Sequence, residues 1–305
     1  MNLNTYKGRN RYYVILFGTI FVLLIAVLGI SIYANFDMLK KLFTYTPPEP
    51  VITQVETNFN KMLYKVQKIE EFSYNYNNSD HQNRALKYMR GERYGDMYWS
   101  TLLGGSDADF EAYVVENESE LGLSDLRSLD KIIIPITHED LDFIHLTATL
   151  DGILNGSAEV ADLAGWAGDL CQLVKDFSNS SLDAISLYDA VIDSFNKTGS
   201  FGEADVCADL DAVNIAKIYN ESGLKSLYLV MEDYYKDISN VSRIEQFKEN
   251  TFAETNTKQE FVDQVSDRFI NNSYVIAWFN LNGVDVVSNA LVIETCVQVF
   301  TDYIY

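Results

Sequence analysis

From Tyr12 to Phe36 the chain carries no charged side chain, and the run YYVILFGTIFVLLIAVLGISIYA is apolar almost throughout. A helix rises about 1.5 Å per residue, so roughly 20 residues cross a hydrocarbon core. The pattern therefore predicts a transmembrane helix over 12–34. Tyr12, Tyr13 and Tyr33 fall at its ends, where amphipathic rings favour the lipid–water interface. The run exceeds the apolar core of a cleaved signal peptide, about 7–15 residues, and Ile32-Tyr33-Ala34 is a poor cleavage site, so an uncleaved anchor is expected. Residues 35–50 follow as a spacer stiffened by Thr46-Pro-Pro-Glu-Pro50, which holds three of the chain's four prolines.

Beyond residue 50 the apolar positions recur mostly at helical spacing. Val55, Phe59, Met62, Leu63 and Val66 predict a helix over 51–72, and shorter helices are expected at 81–89, 107–115 and 124–129. KIIIPI at 131–136 is β-branched but contains Pro135, which suits an edge strand. Thr137-His-Glu-Asp140 resembles a capping box that would start a helix running to Leu150. Further helices are expected at 158–177, 182–196, 203–219, 223–236, 241–248, 258–271 and 288–303. The expected architecture is mainly α: a cytoplasmic tail at 1–11, the membrane helix, the spacer, and one compact helical domain over 51–305 with at most minor β structure.

Charge refines this picture. The 305 residues carry 23 basic and 44 acidic side chains, a net −21. Lys7, Arg9 and Arg11 precede the apolar run, and every acidic residue follows it. The basic tail favours a cytoplasmic N-terminus and an extracytoplasmic C-terminal domain. The acidic excess argues against nucleic acid as a partner. Three cysteines without a C-x-x-C pair exclude a disulfide scaffold or a zinc finger, and no P-loop, G-x-S-x-G or dinucleotide fingerprint is present. Cys171 and Cys207 could bridge in an oxidising compartment.

Three segments place polar residues in unusual company. On a helix running from Thr137, the residues His138, Asp142 and His145 share one face. Two imidazoles and a carboxylate could hold a divalent metal or act as an acid–base pair. In ADLAGWAGDL, Asp162 and Asp169 flank Trp166 on a single predicted helix, an arrangement that could stack and bond a sugar. Gly165 and Gly168 within it each cost about 1 kcal/mol relative to Ala, which points to close approach of a neighbour. In the third segment, Asp205 and Asp209 lie one turn apart, with Asp209 on a small apolar face between Val213 and Ala216. Asp211 and Asn214 are expected to be caps or solvated.

If the three faces converge, Asp142, His145, Asp162, Asp169, Asp205 and Asp209 form one catalytic constellation. Two functions then compete. One is a surface module that binds an envelope glycan or protein partner. The other is a membrane-tethered hydrolase of a glycan or phosphoester, with or without a divalent metal. Convergence of His145 with at least two aspartates would favour the second.

Overall fold

The computed structural model describes residues 54–91, 102–104, 107–117, 132–137, 140–198, 203–223, 226–238 and 243–305. The predicted membrane helix, the spacer, the helix at 124–129 and His138 lie outside them. Among the described residues no helix is long and apolar enough to cross a membrane.

The described chain is mainly helical. It runs through α1 (Gln54–Tyr76), α2 (His81–Arg90) and α3 (Ala108–Glu116), then strands β1 (Ile132–Ile133) and β2 (Asp140–Leu141). Next come α4 (Phe143–Asn155), α5 (Ala158–Ala164), α6 (Trp166–Phe177), α7 (Ala184–Thr198) and α8 (Glu203–Ser222). Last are α9 (Leu227–Lys236), α10 (Arg243–Thr251), α11 (Lys258–Ile270), α12 (Ser273–Leu281) and α13 (Ala290–Ile304). The two strands pair antiparallel, Ile132 with Leu141 and Ile133 with Asp140.

That pairing overturns the helix start expected at Thr137. It draws Asp140 and Leu141 into extended backbone, and Asp142 remains extended at φ −82°, ψ 100°. Helix α4 begins at Phe143, with the Asp142 carboxylate accepting from the amides of Ile144 and His145, both at 3.0 Å. A side-chain oxygen at this position satisfies donors that the first helical turn leaves without partners. The helical phase that would align His138, Asp142 and His145 is therefore broken.

The helix expected over 158–177 is two helices. Gly165 ends α5, with its amide on the carbonyls of Ala161 and Asp162, and α6 restarts at Trp166. Helix α12 was not expected from the sequence. Its segment SYVIAWFNL is apolar on all sides, which hides the helical period, and Asn272 caps it on the amides of Tyr274 and Val275. The prediction of α11 is met closely. Thr257 caps Glu260, and the Glu260 carboxylate reaches back to the amide of Asn256.

Two apolar cores share the domain. One is built on α1–α4, α8 and α9, with Met62, Met89, Phe110 and Leu146 fully buried. The other is built on α5–α7 and α10–α13, around Phe247, Phe261, Phe269 and Phe300. Helix α8 serves both: Val206 and Leu210 enter the second core, while Ala208, Ala212 and Ile215 enter the first. Gly152 lets α4 approach α5 closely, since a Cβ there would lie 2.6 Å from the Ala164 side chain.

Candidate functional site

At the seam between the cores, side chains from α4, α6 and α8 meet. His145 Nε2 lies 2.9 Å from Asp209 Oδ1 and 3.8 Å from Asp169 Oδ2. Both His145 and Asp209 are about 2% exposed, whereas the Asp169 side chain keeps 17% of its surface. The Thr149 hydroxyl, one turn after His145, stands 3.0 Å from Asp209 Oδ1 and 2.9 Å from the Ala164 carbonyl. It has one proton, so it donates to one of them at a time. Oδ2 of Asp209 and Oδ2 of Asp169 are both buried without a hydrogen-bond partner.

Gly165 is what allows this meeting. A Cβ at that position would stand 2.6 Å from Asp209 Oδ1, so the break between α5 and α6 brings bare backbone against the carboxylate of α8. The cost of glycine there is offset by access.

Electrostatics mark Asp169 as unusual. Burial pushes its carboxyl well above the ordinary range, and Asp205, Asp209 and Asp142 push the same way, while His145 opposes them.

The remaining predicted residues take other roles. Asp162 is not beside Asp169: the break at Gly165 turns it toward α11, where Arg268 holds it through two bonds of 2.6 and 2.5 Å. Burial raises its carboxyl and Arg268 opposes the shift. Trp166 is no exposed sugar platform. It is 2% exposed and stacks on Phe300 with centroids 5.7 Å apart, while its Nε1–H donates to Asp162 at 3.2 Å. Asp142 is a helix cap, as described above. His138, part of the expected metal set, lies outside the described residues; among the described residues the donor atoms of His145, Asp169 and Asp209 all lie within 4.8 Å of one another. Asp205 is 8% exposed, close enough for its charge to act on Asp169. The three cysteines are free and buried, so no bridge joins Cys171 to Cys207.

Several residues escaped the sequence reading. Asp211, expected to be a cap or solvated, is fully buried and pairs with Arg243, while Tyr234 and Tyr235 donate to its two oxygens at 2.6 and 2.9 Å. Arg90 pairs with buried Asp151 at 3.0 Å. Glu70 caps α9 from a distance, accepting from the amides of Leu227 and Tyr228. None of these long-range partners has a local signal. Thr149 alone could have been found, because its spacing of four places it on the face of His145.

Beside Asp209 a cavity of about 150 Å³ opens to solvent. Thr149, Asp162, Gly165, Trp166, Asp209 and Arg268 stand on its wall.

Comparison with known proteins adds a family. A family profile described as "YkzU uncharacterised protein" matches residues 147–304, half of the chain. The chain belongs to the YkzU family. The YkzU match takes in Thr149, Asp162, Asp169, Asp205 and Asp209 and begins two residues after His145. The chain is also similar to a curated protein of Bacillus subtilis (strain 168), "Uncharacterized protein YkzU", with 31% identity over 97 residues. That alignment covers 32% of this chain and 56% of the relative, so the chain spans about half the length of the relative it matches. No solved structure matches.

Proposed function

We propose that the chain is a binding domain held outside the cytoplasm by an anchor at 12–34, and that it takes a small polar solute into the cavity beside Asp209. The observation that carries this reading is the buried Asp209 carboxylate on the cavity wall, with one oxygen lacking a partner. Leaving such a group without a hydrogen bond costs about 1–3 kcal/mol, which a solute bearing an N–H or O–H donor would recover. A cavity near 150 Å³ accommodates a molecule about the size of benzene. The segment before the domain supports the anchoring: an uncharged run long enough to span, preceded by three basic residues and followed by every acidic one.

The test is native mass spectrometry of the full-length chain purified under mild conditions. A small non-covalent adduct on the native protein is the expected result, absent when Ala161, which also stands on the cavity wall, is replaced by the cavity-filling Ala161→Phe. Indistinguishable spectra without an adduct would remove the reading.

A second reading, hydrolysis, is favoured by the convergence named above as its condition: an imidazole stands against two carboxylates from other helices, and burial raises one of these. In it Asp209 orients His145, the imidazole takes the proton of an attacking water, and the Asp169 carboxylic acid gives its proton to the departing oxygen. With Trp166 buried, stacking on a sugar has no support, and a small ester or phosphoester is the substrate proposed for this reading. Turnover of p-nitrophenyl acetate or p-nitrophenyl phosphate by the wild type, lost in Asp169→Asn, would place this reading first.

A further inference from the structure

Three buried aspartates in this domain are each paired with an arginine. Asp151 pairs with Arg90, Asp162 with Arg268 and Asp211 with Arg243. Asp169 and Asp209 have no arginine or lysine within ion-pair distance among the described residues, and their shared neighbour is the imidazole of His145. Asp142 and Asp205 add further negative potential at Asp169. An ion pair with histidine neutralises one carboxylate at most. Two carboxylates therefore face a single imidazole, which carries charge only when protonated, and each keeps a buried oxygen with no hydrogen bond. Buried charge of this kind is compensated by a counter-ion or by protonation.

We infer that His145, Asp169 and Asp209 form a site for one divalent transition-metal ion, zinc or manganese. Three features point to this class of ligand. First, Asp169 Oδ2, which faces the imidazole, is a buried acceptor without a donor. Second, the spacings fit. Ligands bound at about 2.0–2.2 Å stand roughly 3–3.6 Å apart around one ion, and the separations from Nε2 of 2.9 and 3.8 Å lie either side of that range. Third, the donor set of one imidazole and two carboxylates suits zinc or manganese, whereas calcium and magnesium prefer oxygen alone. Three protein ligands leave a position for water, as in sites that activate it. Thr149 and the Asp142-capped first turn of α4 fix the ligands from behind: Thr149 bonds the Asp209 oxygen that faces His145, and Asp142 orients the helix end that carries the imidazole. The inference concerns the His145-facing oxygens and does not depend on what fills the cavity.

The experiment uses the full-length chain, stripped with a chelator and titrated separately with Zn²⁺, Mn²⁺, Ca²⁺ and Mg²⁺ by calorimetry and thermal melting. One equivalent of zinc or manganese is expected to bind with Kd below about 10 μM. A hundredfold excess over Kd should raise Tm by about 5–10 °C, and calcium and magnesium should not. Asp169→Asn and Asp209→Asn should each weaken binding by more than the 10–100-fold that loss of an outer partner costs. The metal-free melting of Asp169→Asn should stay at or above that of the wild type, because a buried charge has been removed, whereas Asp209→Asn also loses the partner of His145 and should melt lower. Asp169→Asn is the safer of the two for folding, since its side chain is the more exposed. No shift with zinc or manganese in the wild type overturns the site. So does undiminished binding in both variants, which would place the ion on other carboxylates. Neither result depends on whether the domain binds a solute or hydrolyses one.

Discussion

Replacing Arg243 by Met tests the reading of the buried charges most directly. The Arg243 side chain is 4% exposed, and Asp211 is fully buried. Arg243 bonds one Asp211 oxygen and, at 3.1 Å, the carbonyl of Cys207. Removing one member of a buried pair strands the other, at about 3–5 kcal/mol. For a domain of this size each kcal/mol lowers Tm by about 2–4 °C, so a fall of about 6–20 °C is expected. The penalty has a sign in pH. Burial already raises the Asp211 carboxyl and Arg243 opposes that rise, so the variant's folded-state pKa is higher still. A carboxyl that holds its proton more tightly in the folded chain costs nothing below its unfolded pKa near 4, and the cost grows as pH rises through the folded value. The deficit should therefore be largest near pH 8 and shrink toward pH 5. Adding Asp211→Asn removes the stranded charge and should restore at least about 2 kcal/mol in urea denaturation. A single-variant loss under about 1 kcal/mol, flat from pH 5 to 8, would show that water screens the pair and would refute the argument.

Other outcomes follow from the same geometry. Gly165→Ala forces a Cβ against the Asp209 carboxylate, so it should cost about 1–3 kcal/mol and move the His145 ring resonances in an NMR spectrum. Asp142→Ala removes a helix cap and not a ligand: stability should fall by about 0.5–2 kcal/mol in urea denaturation while zinc affinity changes far less than in Asp169→Asn. In chelator, the raised Asp169 carboxyl destabilises the wild type increasingly as pH rises above about 4, so Asp169→Asn should melt higher than the wild type at pH 8 and draw level with it at low pH. Trp166→Phe keeps the ring stack on Phe300 but leaves Asp162 one donor short, for an expected loss of about 1 kcal/mol in thermal denaturation.

How much of this was legible in the chain depends on the range of the interactions. Helix existence was carried by apolar spacing, which is local, and local caps such as Thr257 on Glu260 reinforce it in the structure. Helix α12 was hidden because SYVIAWFNL is apolar on every face. The start of α4 was misplaced because the two-residue ladder with Ile132 and Ile133 outcompeted the Thr137 cap, a tertiary choice that the local string cannot show. The glycines of ADLAGWAGDL did announce close approach, but their effect was to break the helix and separate Asp162 from Asp169. The polar faces of α4, α6 and α8 were visible individually. Their meeting at His145 was a conjecture, and the arginines that neutralise Asp151, Asp162 and Asp211 sit 61, 106 and 32 residues away in the chain, beyond any periodicity.

The position of α8 between two cores has a consequence for how the domain opens. A helix that contributes alternate faces to both halves ties their unfolding together. With the seam's carboxylates balanced, amide protons on both sides should exchange at the rate of global opening, as one cooperative unit. With them unbalanced, the half built on α1–α4 can loosen while α10–α13 stay closed, and exchange separates into two classes. Occupancy of the proposed site would then be read as rigidity of the whole domain.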